Sequence, residues 1–418
     1  MHTRFIHRIL QLRKRLWARP LLYCILAVVA SFLARAADYG ELGSVLPKIA
    51  PDTIETLLTI ISSSMLAVAT FAVGSMVSSY ASASATGTPR AFTLVLADDV
   101  SQKALSSFIG AFIFSIVSIV ALKTGLYKDG GLFVLFVLTL AIFAWVVLTF
   151  VRWVDNIARL GRLGTTIDKA ESAALASLKE RRDLPFLGGV EKIPGNETRG
   201  CKVFCSKVGY VQFINMPKLQ RIAESHDLRI MIDAIPGAFL APGRPAVILD
   251  KPEEIDSDLI AKINSTFIIG ENRSFDDDPR FGLIVLSEIA ARALSPAVND
   301  HGTAIVIIGR FVRLFAAWAE PAKNDDGAKV KYDRLIVPPL SLGALFDDAF
   351  TTIARDGAGI VEVGIRLQKA FLALSLLDCP GFPEEARRNS ALALERARNA
   401  MTLKHDVKQL EDVARLLD

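Results

Sequence analysis

Residues 132–153 read LFVLFVLTLAIFAWVVLTFVRW, with no charged side chain before Arg152. A helix of this composition has no polar face to offer water. It is buried in protein or it crosses a bilayer, whose hydrocarbon core takes about 20 residues. Three more apolar runs precede it, at 17–36, 56–80 and 104–123. Together they predict a four-span transmembrane domain over residues 17–153. The rest of the chain cannot be of the same kind. Apolar residues are 51% of the 418 and charged residues 22%, which agree only if a membrane part is joined to a soluble part.

Charge sets the expected orientation. Residues 1–16 form a basic stretch with Arg4, Arg8, Arg13, Lys14 and Arg15, followed by Arg19, and no acid. By the positive-inside rule this end is cytoplasmic. Trp17 and Tyr23 are interfacial anchor types, and further spans follow. The first run therefore reads as a span and not as a cleaved leader. The 37–55 loop carries Asp38, Glu41, Asp52 and Glu55 against Lys48, which suits the outer side, and 81–103 returns inside with Arg90 and Lys103. Four spans put both termini on the cytoplasmic side of the membrane.

Residues 154–182 keep a helical period and predict an unbroken extension of the fourth span. The Pro/Gly-rich 183–200 segment marks a boundary. In the 183–270 module, CKVFC, YVQFI, LRIMIDA, PAVIL and TFIIG read as strands, and MPKLQRIAES and 255–265 as helices. IPGAFLAPGRPAVIL reads as a hairpin framed by two glycines. Lys251 falls where a carrier lysine of a lipoyl module lies, but Pro252-Glu253-Glu254 interrupt the strand such a module needs. From 271 to 418 the pattern is helical, with helices at 281–294, 301–320, 341–356, 359–377, 383–402 and 405–417 and a charged loop at 321–334. The fold class expected is thus an α-helical membrane domain plus a cytoplasmic α+β domain, a small β module followed by a helical bundle.

Little in the sequence points to catalysis. Cys24, Cys201, Cys205 and Cys379 are scattered, and Cys201-x3-Cys205 lacks a second Cys or His pair, so no metal site and no cofactor are expected. No phosphate-binding loop, dinucleotide fingerprint, zinc-protease or nucleophile-elbow motif occurs. Basic residues are not interleaved with aromatics, which argues against nucleic acid as a partner. No catalytic residue is assigned, and the chain is not expected to be an enzyme.

Four pieces of the sequence resemble a family of bacterial predicted membrane proteins, domain of unknown function 2254. They are the basic start before the first span, the Ser-rich second span, GYVQFI followed by Gly-x-x-x-x-Pro-Gly, and DDDPRFGLIVLSEIAARALSPAVNDHGTA. The resemblance covers nearly the whole chain. It implies the architecture above and brings no activity. The chain departs from the family pattern after Asn299-Asp300, where His301-Gly302 replace Pro and then Phe or Thr. A role tied to those two positions does not carry over.

Two groups of residues stand out. On the second span Ser63, Ala67, Thr70, Gly74 and Ser78 share one helical face, with Ser64, Phe71 and Ser75 beside it. Small residues let helices approach closely, and hydroxyls can bond their own backbone. The face suits tight packing, or the wall of a pore in a homo-oligomer. No acid, Lys, Arg or His lies well inside any span, which argues against a proton- or ion-coupled transporter. The second group is a polar corner within 273–304: Asp278, Arg280, Glu288, Arg292, Ser295, Asn299, Asp300 and His301. It suits capped helix ends, or a site for a small ligand or partner.

Overall fold

The computed structural model describes residues 18–36, 38, 47–96, 99–159, 162–193, 200–251, 255–321 and 330–417. The basic residues before Ala18, Glu41, Pro252-Glu253-Glu254 and most of the 321–334 loop lie outside them. The chain divides into two compact units at Thr166/Ile167.

The first unit is helical: α1 (Ala18–Ala36), α2 (Pro51–Thr86), the short α3 (Pro89–Leu96), α4 (Asp99–Lys123) and α5 (Asp129–Arg159). Pro51 opens α2 from its first turn, where a missing N–H costs nothing, and Asp52 complements the helix dipole. Bonds at the helix ends show that α1, α2, α4 and α5 alternate in direction. Asp38, just beyond α1, accepts from the backbone N–H groups of Lys128 (3.0 Å) and Gly131 (2.6 Å) at the start of α5. Lys123 at the end of α4 pairs with Glu55 at the start of α2 at 2.7 Å. Between the ends the packing is apolar. Trp153 is fully buried among Phe71, Phe108 and Phe150. Ser31 and Ser118 join α1 to α4 by a 3.0 Å hydroxyl bond.

Four described helices are long and apolar enough to cross a membrane by length and composition: Pro51–Ser84, Val100–Lys123, Asp129–Arg159 and His301–Ala319. Three match expected spans. The run expected at 17–36 is helical, but its apolar stretch, Pro20–Arg35, is shorter than the others. The fourth candidate, α10 (His301–Ala319), belongs to the second unit. There Arg310 pairs with Asp168 (2.7 Å) and Glu171, and Arg313 with Glu171. Its apolar face carries Phe311 and Phe315 into an aromatic cluster. α10 thus has ion-paired arginines on one side and a buried aromatic face on the other, with Val306 exposed.

The second unit begins within α6 (Leu163–Asp183). The unbroken helix expected over 154–182 is instead two helices, with Arg162 outside both. Gly161 and Gly164 flank this position and lower helix propensity there. Thr165 Oγ1 donates to the carbonyl of Arg159 at 3.0 Å, satisfying the end of α5.

Two small sheets follow. The first has the order β1 (Gly189–Glu191), β8 (Tyr332–Val337), β4 (Ile230–Ile232), β6 (Val247–Leu249), β2 (Cys201–Val203). The second has the order β5 (Phe239–Leu240), β3 (Gly209–Ile214), β7 (Phe267–Gly270). Helices α7 (Met216–Ser225) and α8 (Ser257–Asn264) accompany them. Two expectations fail here. The glycine-framed hairpin does not form, because β5 pairs with β3 and β6 with β2 and β4 in the other sheet. Nor is the chain wholly helical after 271. YDRLIV forms β8, parallel to both β1 and β4, and buries Leu335 and Val337 in the sheet core.

The remaining helices are α9 (Pro279–Ala293), α10, α11 (Leu342–Asp356), α12 (Val361–Ser375), α13 (Phe382–Ala400) and α14 (Lys404–Ala414). Their core is aromatic: Phe311, Phe315, Phe346, Phe350, Phe371 and Phe382 are all buried and linked ring to ring. Gly282 lets α9 approach α6 so closely that a Cβ there would overlap Ala174.

Candidate functional site

The small-residue face of α2 points away from its own unit. Ile54, Leu58, Ile61, Ala69, Ala72 and Met76 form the buried side. Ser63, Ser64, Ala67, Thr70, Phe71, Gly74 and Ser78 are exposed, and Ser75 is half-buried. Nothing lies within 4 Å of the point where a Cβ on Gly74 would sit. Among the described residues nothing covers the face at Gly74, while Phe71 at its edge packs on the Trp153 ring of α5, with ring centres 6.1 Å apart. Its hydroxyls turn inward onto the helix: Ser63 donates to the carbonyl of Thr59 (2.9 Å) and Thr70 to that of Leu66 (2.9 Å). Such back-bonding lets a hydroxyl lie in an apolar or a wet setting without an orphaned donor. The same surface of α2 also shows Ile60, Leu66, Val73 and Val77, and the exposed faces of α1 and α5 show Leu22, Leu26, Phe32, Leu140, Phe143 and Leu148, the side chains a lipid-facing surface carries.

The residues of the 273–304 corner are distributed along α9 and do not converge: Asp278 and Arg280 lie at its start, Glu288 within it on the wall of a cleft, and Arg292, Ser295, Asn299, Asp300 and His301 at or beyond its end. A 15-residue helix such as α9 is about 22 Å long. At its start Asp278 accepts from the N–H of Arg280 (3.1 Å), with Pro279 in the first turn. The same carboxylate takes two bonds from Arg273, at 2.6 and 2.9 Å, and is almost wholly buried. The Arg273 guanidinium lies 5.5 Å from the Phe281 ring centre. Gly237, with φ at +91°, lies so close that any Cβ would overlap the Asp278 carboxylate. Two sequence motifs, Gly237-x4-Pro242-Gly243 and Asp276-Asp277-Asp278-Pro279-Arg280, thus meet at one buried ion pair. The sequence signal for this meeting was Gly237 itself, a backbone position that only glycine fits.

Arg280 turns the other way and makes a two-bond pair with Asp348 of α11, at 2.6 and 3.0 Å. That pairing raises the Arg280 pKa. Beside Asp278, burial pushes the Asp277 carboxyl up to about 6, with Glu180 and Asp276 adding negative charge.

At the far end the polar residues build a turn. Ser295 Oγ donates to the carbonyl of Arg292 (2.7 Å), and the N–H of Asn299 to that of Ser295 (2.8 Å). Asn299 sits at φ +52°, a left-handed conformation that Asn tolerates. The N–H of Asp300 reaches back to Ala293 at 2.8 Å. Asp300 then caps α10, accepting from the Thr303 N–H (3.0 Å) and hydroxyl (2.6 Å). The Thr303 hydroxyl, ahead of the other bonds, holds the Asp300 pKa down. His301 opens α10, and its Nδ1 is buried with no hydrogen-bond partner among the described residues. Ser295, Asn299 and Asp300 are thereby occupied with stopping one helix and starting the next.

Among the described residues no group of three His, Cys, Asp or Glu side chains is placed to hold a metal ion, and all four cysteines are free. No nucleophile with an adjacent base is assembled at the corner.

Several long apolar helices in one unit and an α+β unit beyond them define a multi-pass membrane protein with a second, mixed unit. The chain belongs to the family described as predicted membrane protein DUF2254, which it matches over residues 13–373. It is similar to uncharacterised proteins of Mycobacterium bovis and Mycobacterium tuberculosis, each 23% identical over 303 residues, covering 68% of this chain and 55% of the relative. The chain thus spans about half the length of the curated relatives it matches. No solved structure matches it.

Proposed function

We propose that this protein is a homo-oligomeric, channel-like assembly in a bacterial inner membrane, with α1, α2, α4 and α5 as its spans. In this reading α2 faces the symmetry axis. Both termini and the second unit are cytoplasmic, and the second unit regulates passage. One observation supports the reading: the exposed surface of α2 bears Ser63, Ser64, Thr70, Gly74 and Ser78 beside Ile60, Phe71 and Val77, whereas the exposed faces of α1 and α5 bear large apolar side chains with few small polar ones among them. A small, hydroxyl-bearing face suits close approach between helices or the wall of a passive, weakly selective path. Because α10 carries Arg310 and Arg313 in ion pairs with α6 and buries Phe311 and Phe315 in the aromatic core, in this reading it belongs to the second unit and not to the membrane.

Flux through proteoliposomes carrying the purified protein tests the proposal. Passage of small solutes is expected, and Gly74→Leu or Ser75→Leu is expected to reduce it severalfold. Silent liposomes, with neither substitution altering any flux, would end the channel reading. The other reading is a membrane-anchored sensor or scaffold that binds a ligand or partner at the 273–304 corner. At that corner Asp278, Ser295, Asn299 and Asp300 already serve as caps, turn formers and ion-pair partners, whereas Glu288 lies on the wall of a cleft.

A further inference from the structure

A cleft of about 560 Å³ opens between α9, α11 and α13. Its size falls within the usual range for small-molecule sites, about 300–1,000 Å³. The polar side chains on its walls come from three distant parts of the sequence: Ser287 and Glu288 from α9, Asp347, Asp348, Thr351 and Thr352 from α11, and Arg388 and Arg396 from α13, and Glu288 already has a partner.

Most of the charge on these walls is already engaged. Asp348 takes both bonds from Arg280. Arg388 donates to Asp347 at 2.6 Å and to Glu385 at 2.7 Å. Those pairings raise the Arg388 pKa. Two groups are left over. The Ser287 hydroxyl is buried, 2% exposed, and has no partner. A buried hydroxyl without a bond costs about 1–3 kcal/mol, so it marks a place where a partner belongs. Arg396 lines the same cleft and makes no hydrogen bond or ion pair among the described residues. A half-buried guanidinium presents a rigid fork of donors suited to a carboxylate or a phosphate. Thr351 and Thr352 add two more hydroxyls at the wall. Unspent capacity in the cleft is therefore donor capacity with one positive charge, which is what a small oxyanion requires.

We propose that this cleft binds a small carboxylate- or phosphate-bearing solute, with the Arg396 guanidinium and the Ser287 hydroxyl as its anchors. The site is independent of any path along α2.

Binding to the full-length protein in detergent tests it, read as thermal unfolding and as equilibrium dialysis. Sodium phosphate and sodium citrate are the probes, and sodium chloride at matched ionic strength is the control. A saturable rise in melting temperature with phosphate, citrate or both is expected, and the effective anion identifies which source of oxyanion the site takes. Arg396→Gln should weaken binding at least about tenfold, the usual scale for losing one charge-assisted bond. Ser287→Ala should also weaken it, although this variant removes no existing hydrogen bond and, relieved of an unpartnered hydroxyl, should melt no lower than the parent without anion. That makes it informative even if Arg396→Gln folds poorly. Equal effects of chloride and the two oxyanions would overturn the proposal. So would binding that persists unchanged in both variants.

Discussion

Asp278 does three jobs with one carboxylate. It caps α9, holds both arms of Arg273 and fills the space that Gly237 leaves open. Removing it strands a mostly buried guanidinium, which costs about 3–5 kcal/mol in comparable sites. Asp278→Ala is therefore expected to lower the melting temperature sharply, and Gly237→Ala to do so from the other side, through the overlap with Asp278 and the +91° φ. Thermal unfolding of the purified variants checks both. Asp277, next in sequence, has the opposite character. Its carboxyl is raised to about 6 by burial, above its value in the unfolded chain. At pH 7 it is charged in both states and the burial cost is fully present. As pH falls through 6 the folded form takes up the proton, and the cost fades toward pH 4. Asp277→Asn is thus expected to raise the melting temperature most near pH 7.5, less near pH 4.5 and hardly at all below the unfolded carboxyl's own pKa of 3.8. A gain that does not change with pH would contradict this account of Asp277.

Among the elements, the aromatic cluster carries the helical half of the second unit. Phe350 contacts Phe311, Phe315, Phe346 and Phe371 and is fully buried, so Phe350→Ala should destabilise that unit by about 3–5 kcal/mol. Denaturant unfolding followed by tryptophan or circular-dichroism signal measures it. Elements with punctuation at their ends were legible from sequence. Asp278-Pro279, Asp300 and Ser341 cap α9, α10 and α11, and all three helices begin within two residues of where the periodicity placed them. Elements defined by distant partners were not. β8 is six residues after a charged loop, and only β1 and β4, roughly a hundred residues earlier or more, make it a central strand. PAVIL looked like half of a hairpin because its neighbour in sequence was FL, whereas its partners are Cys201–Val203 and Ile230–Ile232. The cleft was invisible for the same reason, since Ser287, Asp348 and Arg396 meet only in space. The corner showed the reverse. Its local chemistry was readable as caps and turns, and the structure assigns it those jobs.

For the whole molecule, the division at Thr166/Ile167 leaves each unit with its own core. A fragment starting near Arg162 is expected to fold alone as a mixed α/β protein with one cooperative melt, and circular dichroism with size-exclusion chromatography checks this. An insoluble or uncooperative fragment would mean that the second unit depends on the first. The membrane unit makes the central claim, that copies of the chain meet along α2. The most direct measurement is disulfide crosslinking in native membranes, with Cys24, Cys201, Cys205 and Cys379 replaced and single cysteines introduced. Gly74→Cys and Ser78→Cys are expected to link neighbouring copies, while Leu148→Cys on the exposed face of α5 is not. No crosslink at either α2 position, from a protein that runs as a monomer in mild detergent, would contradict the assembly.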